Sequence, residues 1–163
     1  MADKLRFEIE IDVFEKEEDL PATEQALMDR ARKAANTAYA PYSNFLVGAA
    51  LLLEDGSIHT GNNQENAAYP SGLCAERTAL FGLRCHQPDT CVTMIAVTAR
   101  RQAEAHYLPV TPCGSCRQVM AEYENRQGRP IRLLMQAPDG RYFLFSSIRD
   151  LLPFQFSQES LLQ

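Results

Sequence analysis

The first pattern along the chain is an alternation of apolar and polar residues. The apolar positions fall at every second residue, at Leu5, Phe7, Ile9, Ile11 and Val13. A period of two is typical of a β-strand with one buried face. We therefore predict an extra N-terminal strand, acting as an added edge strand or a subunit contact, within an extension that covers residues 1–19.

The rest of the chain switches between helical and strand-like patterns. Helix-prone segments lie at about 23–39, 74–84, 113–125 and 148–152. Strand-like segments lie at 46–53, 57–62, 92–98, 131–136 and 142–145. This order predicts an α/β layered fold with a mixed five-stranded sheet and helices on both faces, the N-terminal strand being extra. We expect a single domain over residues 1–163, with a C-terminal tail at 154–163.

Two short turns join neighbouring strands. Asp55-Gly56 lies between apolar runs, which is a strong hairpin signal. Pro138-Asp139-Gly140 leaves only a tight turn between the last two strands. Because a parallel pair would need a crossover of a dozen or more residues, we predict that these two strands are antiparallel.

Composition favours a soluble protein that binds a small molecule. The chain is 45% hydrophobic and carries a net charge of −5. It has no block of Lys or Arg, so nucleic acid is not an expected partner. The longest apolar run, at 45–53, is about half of the ~20 residues that a membrane-spanning helix needs, so no membrane is expected either. Five cysteines, without a signal-peptide pattern, suggest reduced thiols and a cytoplasmic location.

Three cysteines and one glutamate form the candidate site. They are Cys74, Cys113, Cys116 and Glu76. Thiolates suit Zn²⁺, and three protein ligands leave the fourth tetrahedral position open for water, as in catalytic zinc sites. Glu76 lies two residues after a ligand, where its carboxylate could move protons for that water. This pattern is the signature of zinc deaminases that act on nucleobases.

The predicted local structure favours metal binding by these thiols. Both cysteine elements lie at predicted helix starts, where free N–H groups and the helix dipole lower the pKa of a thiol. Three thiolates and Zn²⁺ together carry one excess negative charge. We expect Arg77 to offset that charge by donating a hydrogen bond to a cysteine sulfur, with Arg117 as the second candidate.

Other interpretations of the cysteines stay open. Cys113 and Cys116 alone could form a thioredoxin-like redox pair, although that would not explain Cys74 and Glu76. A structural zinc would need a fourth Cys or His at a matching spacing. His59, His86 and His106 lack that spacing. Cys85 and Cys91 lie outside the motif and are expected to be packed or inert thiols.

Three segments resemble the signature motifs of the cytidine deaminase family. They read YAPYSNFLVGAA at 39–50, NQENAAYPSGLCAER at 63–77 and PCGSCRQ at 112–118. The similarity spans about residues 20–153. It implies the cytidine-deaminase-like form of the layered fold and the short-chain, three-cysteine class, which is a homotetramer.

The resemblance also implies a role for each matching residue. It implies zinc ligation by Cys74, Cys113 and Cys116, and proton transfer by Glu76. It implies substrate-binding roles for a ring-stacking aromatic, two groups on the ribose hydroxyls and a backbone amide on the base edge: Phe45, Asn63, Glu65 and Ala75 respectively. Phe156 matches an aromatic residue that can reach the site of a neighbouring subunit.

The expected function is zinc-dependent hydrolytic deamination of cytidine and deoxycytidine to uridine and deoxyuridine, in pyrimidine salvage. A deaminase of aminonucleoside antibiotics is one alternative. A polynucleotide or tRNA deaminase is disfavoured by the acidic charge and by the tight final turn. A non-catalytic binding or redox module held together by zinc is the alternative of a different class.

Overall fold

The computed structural model describes residues 2–162 and has a mixed β-sheet at its centre. The strands are β1 (Ile11–Phe14), β2 (Phe45–Leu53), β3 (Ile58–Asn62), β4 (Val92–Arg101), β5 (Arg132–Gln136) and β6 (Tyr142–Phe145). The α-helices are α1 (Ala22–Ala35), α2 (Ala75–His86) and α3 (Gly114–Gln127). Short 3₁₀ turns cover Glu17–Asp19, Tyr69–Ser71, Ile148–Leu151 and Gln158–Leu161.

The sheet has six strands in the order β1-β6-β5-β4-β2-β3, so the prediction of five is wrong. The additional strand is β1, which pairs with β6 and places Ile11 opposite Phe145. Without β1, β6 would present unpaired backbone groups at the sheet edge. Among the strands of residues 2–162, only β4 and β5 pair in parallel, and the last two strands are antiparallel as predicted.

The N-terminal strand is shorter than its sequence pattern. The alternation predicts a strand over about 5–13, but only Ile11–Phe14 is a strand. The physical reason is the length of the partner, because β6 has four residues and its last residue, Phe145, already faces Ile11. Residues 2–10 form no helix or strand and are exposed.

Helices cover both faces of the sheet, as predicted. α1 packs on one face, where Leu27 joins a cluster that includes Ala50 of β2. α2 and α3 pack on the other face, where Leu80 and Met120 join a cluster that includes Leu51. The two clusters divide β2 between them because successive side chains of a strand point to opposite faces. Burial of apolar surface in both clusters stabilises the fold.

The chain after α1 leaves the helix earlier than the sequence predicts. α1 ends at Ala35 rather than near Tyr39. Tyr39 instead bonds through its backbone to the segment that follows β3, accepting from the Glu65 N–H and donating to the Asn63 carbonyl. These bonds bring residues 39–45 beside residues 63–65, so two of the three signature segments become neighbours.

Gly61 allows α2 to lie close to β3. A Cβ atom at this position would stand 2.4 Å from the backbone nitrogen of Ala79 and 2.8 Å from the backbone oxygen of Ala75. Because both neighbours are backbone atoms, a side chain here would push the first turn of α2 away from the sheet. The absence of a side chain at Gly61 therefore helps to place the start of α2, which carries the candidate site.

The helices of residues 2–162 include no candidate for a membrane span. None of the helices in this range combines the length and the apolar character needed to cross a bilayer.

Candidate active site

The three predicted zinc ligands meet at one point. The Sγ atoms of Cys74 and Cys113 are 3.9 Å apart, and those of Cys113 and Cys116 are 3.5 Å apart. All three sulfurs lie within 4.8 Å of one another. Within residues 2–162 no histidine or carboxylate joins this group, so three thiols are the donor set.

Two helix starts place the sulfurs. Cys74 is the N-cap residue of α2, and Cys113 is the N-cap residue of α3. Each helix thus begins one residue later than predicted, while its cysteine keeps the position at the positive end of the helix dipole. Cys116 lies in the first turn of α3, and the two residues between it and Cys113 allow both sulfurs to lie on one side.

The sulfur separations suit a tetrahedral zinc ion. A Zn–S bond of about 2.3 Å and a tetrahedral angle give sulfurs about 3.8 Å apart. The separations of 3.5 Å and 3.9 Å are close to this value on either side. All five cysteines are free thiols, so no disulfide competes for these sulfurs. The residues present therefore fit Zn²⁺ with one open coordination position.

Glu76 is a buried carboxyl group beside the sulfurs. It lies in the first turn of α2, and only 3% of its surface is exposed. Burial raises the pKa of this carboxyl group above its ordinary value, and the negative charge of Cys74 acts in the same direction. A carboxyl group in such a place can take up and return a proton near neutral pH.

Arg77 contacts the metal-binding group as predicted. Its Nη2 donates to the Cys74 sulfur over 3.7 Å. A hydrogen bond from the Cys116 thiol, aided by the bond from Arg77, lowers the pKa of the Cys74 thiol to about 5. The thiolate form needed for metal binding is therefore available at neutral pH.

Arg117, the second candidate, has a different partner. Its Nε donates to the Pro112 carbonyl at 2.9 Å, and its Nη1 donates to the Leu151 carbonyl at 3.2 Å. These bonds connect the start of α3 to the chain after β6. Arg117 therefore supports the local fold rather than the sulfur charge.

A cavity opens beside the three thiols. Its volume is about 550 Å³, which is within the range of ~300–1,000 Å³ typical of small-molecule sites. Cys74, Cys113, Glu76 and Arg77 line the part of the cavity beside the sulfurs. Asn63, Glu65 and the side chains around them line the remainder, so most of the predicted site shares one cavity.

Asn63 uses its amide to extend the pairing between β2 and β3. Its Oδ1 accepts from the Val47 N–H at 2.8 Å, and its Nδ2 donates to the Phe45 carbonyl at 2.9 Å. An amide group has two N–H bonds and two lone pairs, so one of each is left for a ligand. The side chain is thus held in place, while it can still bind a hydroxyl group.

Glu65 organises the loop before β2. Its carboxylate accepts from the backbone N–H groups of Tyr42 and Ser43, at 3.0 Å and 3.3 Å, and from the Ser43 hydroxyl. The Ser43 hydroxyl bond is the main reason that the pKa of Glu65 lies below its ordinary value. Glu65 is therefore an ionised acceptor at neutral pH.

Phe45 and Ala75 are not among the residues that line the cavity. Phe45 begins β2 and is half-buried. The Ala75 side chain is fully buried, and its backbone N–H at the start of α2 has no acceptor within the helix. Their predicted roles in substrate binding stay predictions.

Comparison with known proteins identifies the family. Residues 21–127 match the family model described as the cytidine and deoxycytidylate deaminase zinc-binding region. A cytidine deaminase of Sporosarcina psychrophila is 42% identical over 142 residues, covering 84% of this chain and 93% of that protein. The chain belongs to the cytidine and deoxycytidylate deaminase family. The resemblance stated from the sequence is thereby confirmed.

Solved structures agree with the family assignment. The crystal structure of cytidine deaminase from Burkholderia pseudomallei is 42% identical with a TM-score of 0.67, covering 80% of this chain and 97% of that one. Cytidine deaminase from Mycobacterium tuberculosis is 33% identical with a TM-score of 0.62, covering 80% and 94%. The family's zinc-binding region and the three thiols together confirm Zn²⁺ as the cofactor.

Some residues of this deaminase site were not singled out from the sequence. Tyr42 and Ser43 line the cavity and hold Glu65, and Val110 and Thr111 line it just before the Cys113 helix. The signal for Ser43 was its position inside the 39–50 segment. Val110 and Thr111 precede the third segment and carry no group whose chemistry would mark them.

Proposed function

We propose that this chain catalyses the hydrolytic deamination of cytidine and deoxycytidine to uridine and deoxyuridine, with release of ammonia. The observation that carries the proposal is the buried Glu76 carboxyl group beside three thiols that fit zinc, in a cavity of about 550 Å³. Relatives at 42% and 48% identity are named cytidine deaminases, which favours this reaction over the alternatives.

Different residues of the chain have different roles in the proposed reaction. Cys74, Cys113 and Cys116 would hold Zn²⁺, which supplies a Lewis acid that makes water a better nucleophile at neutral pH. Glu76 accepts a proton from water and delivers it to ring nitrogen N3, which makes carbon C4 more electrophilic. The hydroxide left by that water adds to C4 and forms the C–O bond, while the double bond between C4 and N3 becomes single. Glu76 then carries the proton of the added hydroxyl group to the amino group, so that the C4–N bond breaks, ammonia leaves and a carbonyl oxygen remains on C4.

The part of the cavity lined by Asn63 and Glu65 supplies the proposed sugar site. Asn63 and Glu65 bind the ribose hydroxyls, using acceptor and donor positions that their contacts within the chain leave free. Phe45 packs against the pyrimidine ring, and the Ala75 N–H contacts the edge of the base. Arg77 offsets the charge of the thiolates through its contact with Cys74.

We further propose a cytoplasmic homotetramer that acts in pyrimidine salvage, in which Phe156 reaches the site of a neighbouring subunit. The ring of Phe156 is exposed, and 58% of the residue's surface is accessible. Gln118 holds its backbone by accepting from the N–H and donating to the carbonyl. A fixed backbone with an exposed ring is suited to an intersubunit contact.

The test is ammonia release by the zinc-loaded protein. Cytidine, deoxycytidine, cytosine and a cytosine-based nucleoside antibiotic would be supplied separately. We expect turnover of the first two, loss of turnover on chelation of zinc, and recovery when zinc is restored. Turnover of the antibiotic alone would identify a deaminase of aminonucleoside antibiotics. No ammonia release from any of the four compounds would favour the non-catalytic zinc-binding module.

A further inference from the structure

Residues 4–10 extend beyond the sheet without a partner strand. They lead directly into β1, whose partner β6 ends at Phe145, opposite Ile11. Within the part of the chain that the structure describes, no backbone hydrogen bond is formed by residues 4–10. Both backbone edges of this segment are therefore free to pair with another strand.

One face of the segment is apolar and exposed. Leu5, Phe7 and Ile9 have 77%, 53% and 46% of their surface accessible. The chain's own C-terminal tail meets this face at one aromatic contact, between Phe7 and Phe154, whose ring centroids are 5.0 Å apart. Because about half or more of the surface of each of these three large apolar residues remains in water, the face is suited to a further apolar partner.

The charged face of the segment is complementary to itself. Lys4 and Arg6 precede Phe7, and Glu8 and Glu10 follow it. If two copies run antiparallel with Phe7 opposite Phe7, Lys4 faces Glu10 and Arg6 faces Glu8. The twofold axis repeats each pair, so four opposite-charge pairs form across the two strands.

The same arrangement pairs the apolar residues. Leu5 of one copy faces Ile9 of the other, and the two Phe7 side chains meet at the axis. A shift by one residue would place apolar side chains opposite charged ones. Centring the pairing on Glu8 would place two glutamates face to face, and centring it on Arg6 would do the same with two arginines. Of these arrangements, only the one centred on Phe7 pairs apolar residues with apolar residues and opposite charges with each other.

We propose that residues 4–10 pair antiparallel with the same residues of a second copy of this chain, about a twofold axis at Phe7. The segment lies outside residues 21–127, which match the deaminase family, so the contact is a property of this chain's extension. The proposal does not depend on the catalytic activity, because the segment contains none of the site residues.

Disulfide cross-linking across the axis tests this pairing directly. Opposite residues in an antiparallel pair have Cα atoms about 4.5–5.5 Å apart, which a disulfide can bridge. The variants Phe7→Cys, Leu5→Cys and Ile9→Cys would be compared in the zinc-loaded full chain, with Cys85 and Cys91 replaced by serine. Equivalent residues at position 5 or position 9 would lie about 14 Å apart, because they are offset by four residues.

We expect a cross-linked dimer from Phe7→Cys at a yield at least about 10-fold above either control. Adding Arg6→Glu should reduce that yield about 10-fold, because it creates two like-charge pairs. Adding Glu8→Arg as well should restore it, since residue 6 then again faces an opposite charge at residue 8. Ammonia release would be measured in parallel and should stay at the parent rate in every variant.

Three outcomes would overturn the proposal. The yield at position 7 could be no higher than at positions 5 and 9, which would show that the register is not centred on Phe7. The double charge exchange could fail to restore cross-linking. A low yield at all three positions would assign the apolar face to the chain's own tail around Phe154.

Discussion

Glu76 and Glu65 line the same cavity but have opposite environments. Glu76 is buried at the start of α2, where loss of water raises its pKa. Glu65 is partly exposed after β3, where the Ser43 hydroxyl holds its pKa below the ordinary value. Two chemically similar carboxyl groups are thus given different preferences for a proton.

This difference fits the two proposed roles, which are proton transfer for Glu76 and substrate recognition for Glu65. Carboxyl groups whose environments move their pKa values apart are suited to different tasks. Glu76 can hold a proton and is placed to move one, whereas Glu65 stays ionised and is suited to accepting hydrogen bonds. The neighbouring residues are consistent with these two tasks. Glu76 lies two residues after Cys74 of the thiol cluster, whereas Glu65 is hydrogen-bonded to the loop at residues 42–43.

The largest effect should follow from Glu76→Gln. The amide cannot carry a proton, so we expect kcat to fall about a thousandfold, within the range for general acid–base catalysis. Bound zinc, measured by elemental analysis, should be unchanged, and the melting temperature of the zinc-loaded protein should not fall. Glu122→Gln, at an exposed position of α3, is the matched control. Activity of Glu76→Gln within 10-fold of the parent would remove Glu76 from the mechanism.

Glu65→Gln should affect binding more than turnover. Loss of a charged hydrogen-bond acceptor should raise KM for cytidine about 10- to 100-fold, with a smaller change in kcat. With 2′,3′-dideoxycytidine, which lacks the hydroxyls that Glu65 is proposed to bind, the variant should have nearly the same KM and kcat as the parent. Steady-state kinetics on both substrates make the comparison. An equal loss on both would show that Glu65 acts only by holding the 42–43 loop.

Arg77→Gln should weaken zinc binding about 10-fold, because it removes a donor to a ligand sulfur. Competition with a fluorescent zinc chelator would measure the affinity. Arg126→Gln, at an exposed position near the end of α3, is the control. Unchanged zinc affinity in Arg77→Gln would mean that its contact with Cys74 does not tune the site.

The smallest effects should appear in the pH dependence of stability in the zinc-free protein. Because burial raises the pKa of Glu76, the parent should lose stability as the pH rises above about 4.5 toward that raised pKa. Glu76→Gln lacks this loss, so its free energy of unfolding should rise relative to that of the parent as the pH rises above about 4.5. Glu65→Gln should show a small effect of the opposite sign. The lowered pKa of Glu65 stabilises the parent fully above about pH 4.5, and this stability is lost as the pH falls below 4.5.

Denaturant unfolding of the three proteins at several pH values, with a chelator present, would check both signs. Parallel profiles for the parent and Glu76→Gln would show that the carboxyl group is not desolvated in the folded protein. A gain in stability for Glu65→Gln at neutral pH would contradict the hydrogen bonds assigned to its carboxylate.

The fold was predictable wherever a local pattern decides the structure. Asp55-Gly56 predicted the first hairpin, and Gly56 has the positive φ of 83° that such turns favour. The tight turn before β6 predicted the antiparallel final pair correctly. The length and number of the strands were harder to predict. The length of β1 is limited by the length of β6 rather than by its own alternation of apolar and polar residues.

The site was predictable to different degrees for a similar reason. The metal-binding thiols and Glu76 lie in short motifs at helix starts, where spacing nearly determines which side chains share a face. Residues from separate segments were harder to place. The bonds of Asn63 to β2, and the choice between Arg77 and Arg117, depend on contacts across the fold.

The sequence by itself determined the donor set, the neighbouring carboxyl group and the family, because these depend on residue type and local spacing. Only the tertiary structure decided that the N-terminal strand pairs with β6 at the sheet edge, and that Glu76 and Glu65 line one cavity in opposite environments. Burial and hydrogen bonding set the proton affinity of a carboxyl group, and both arise from residues that are distant in the chain.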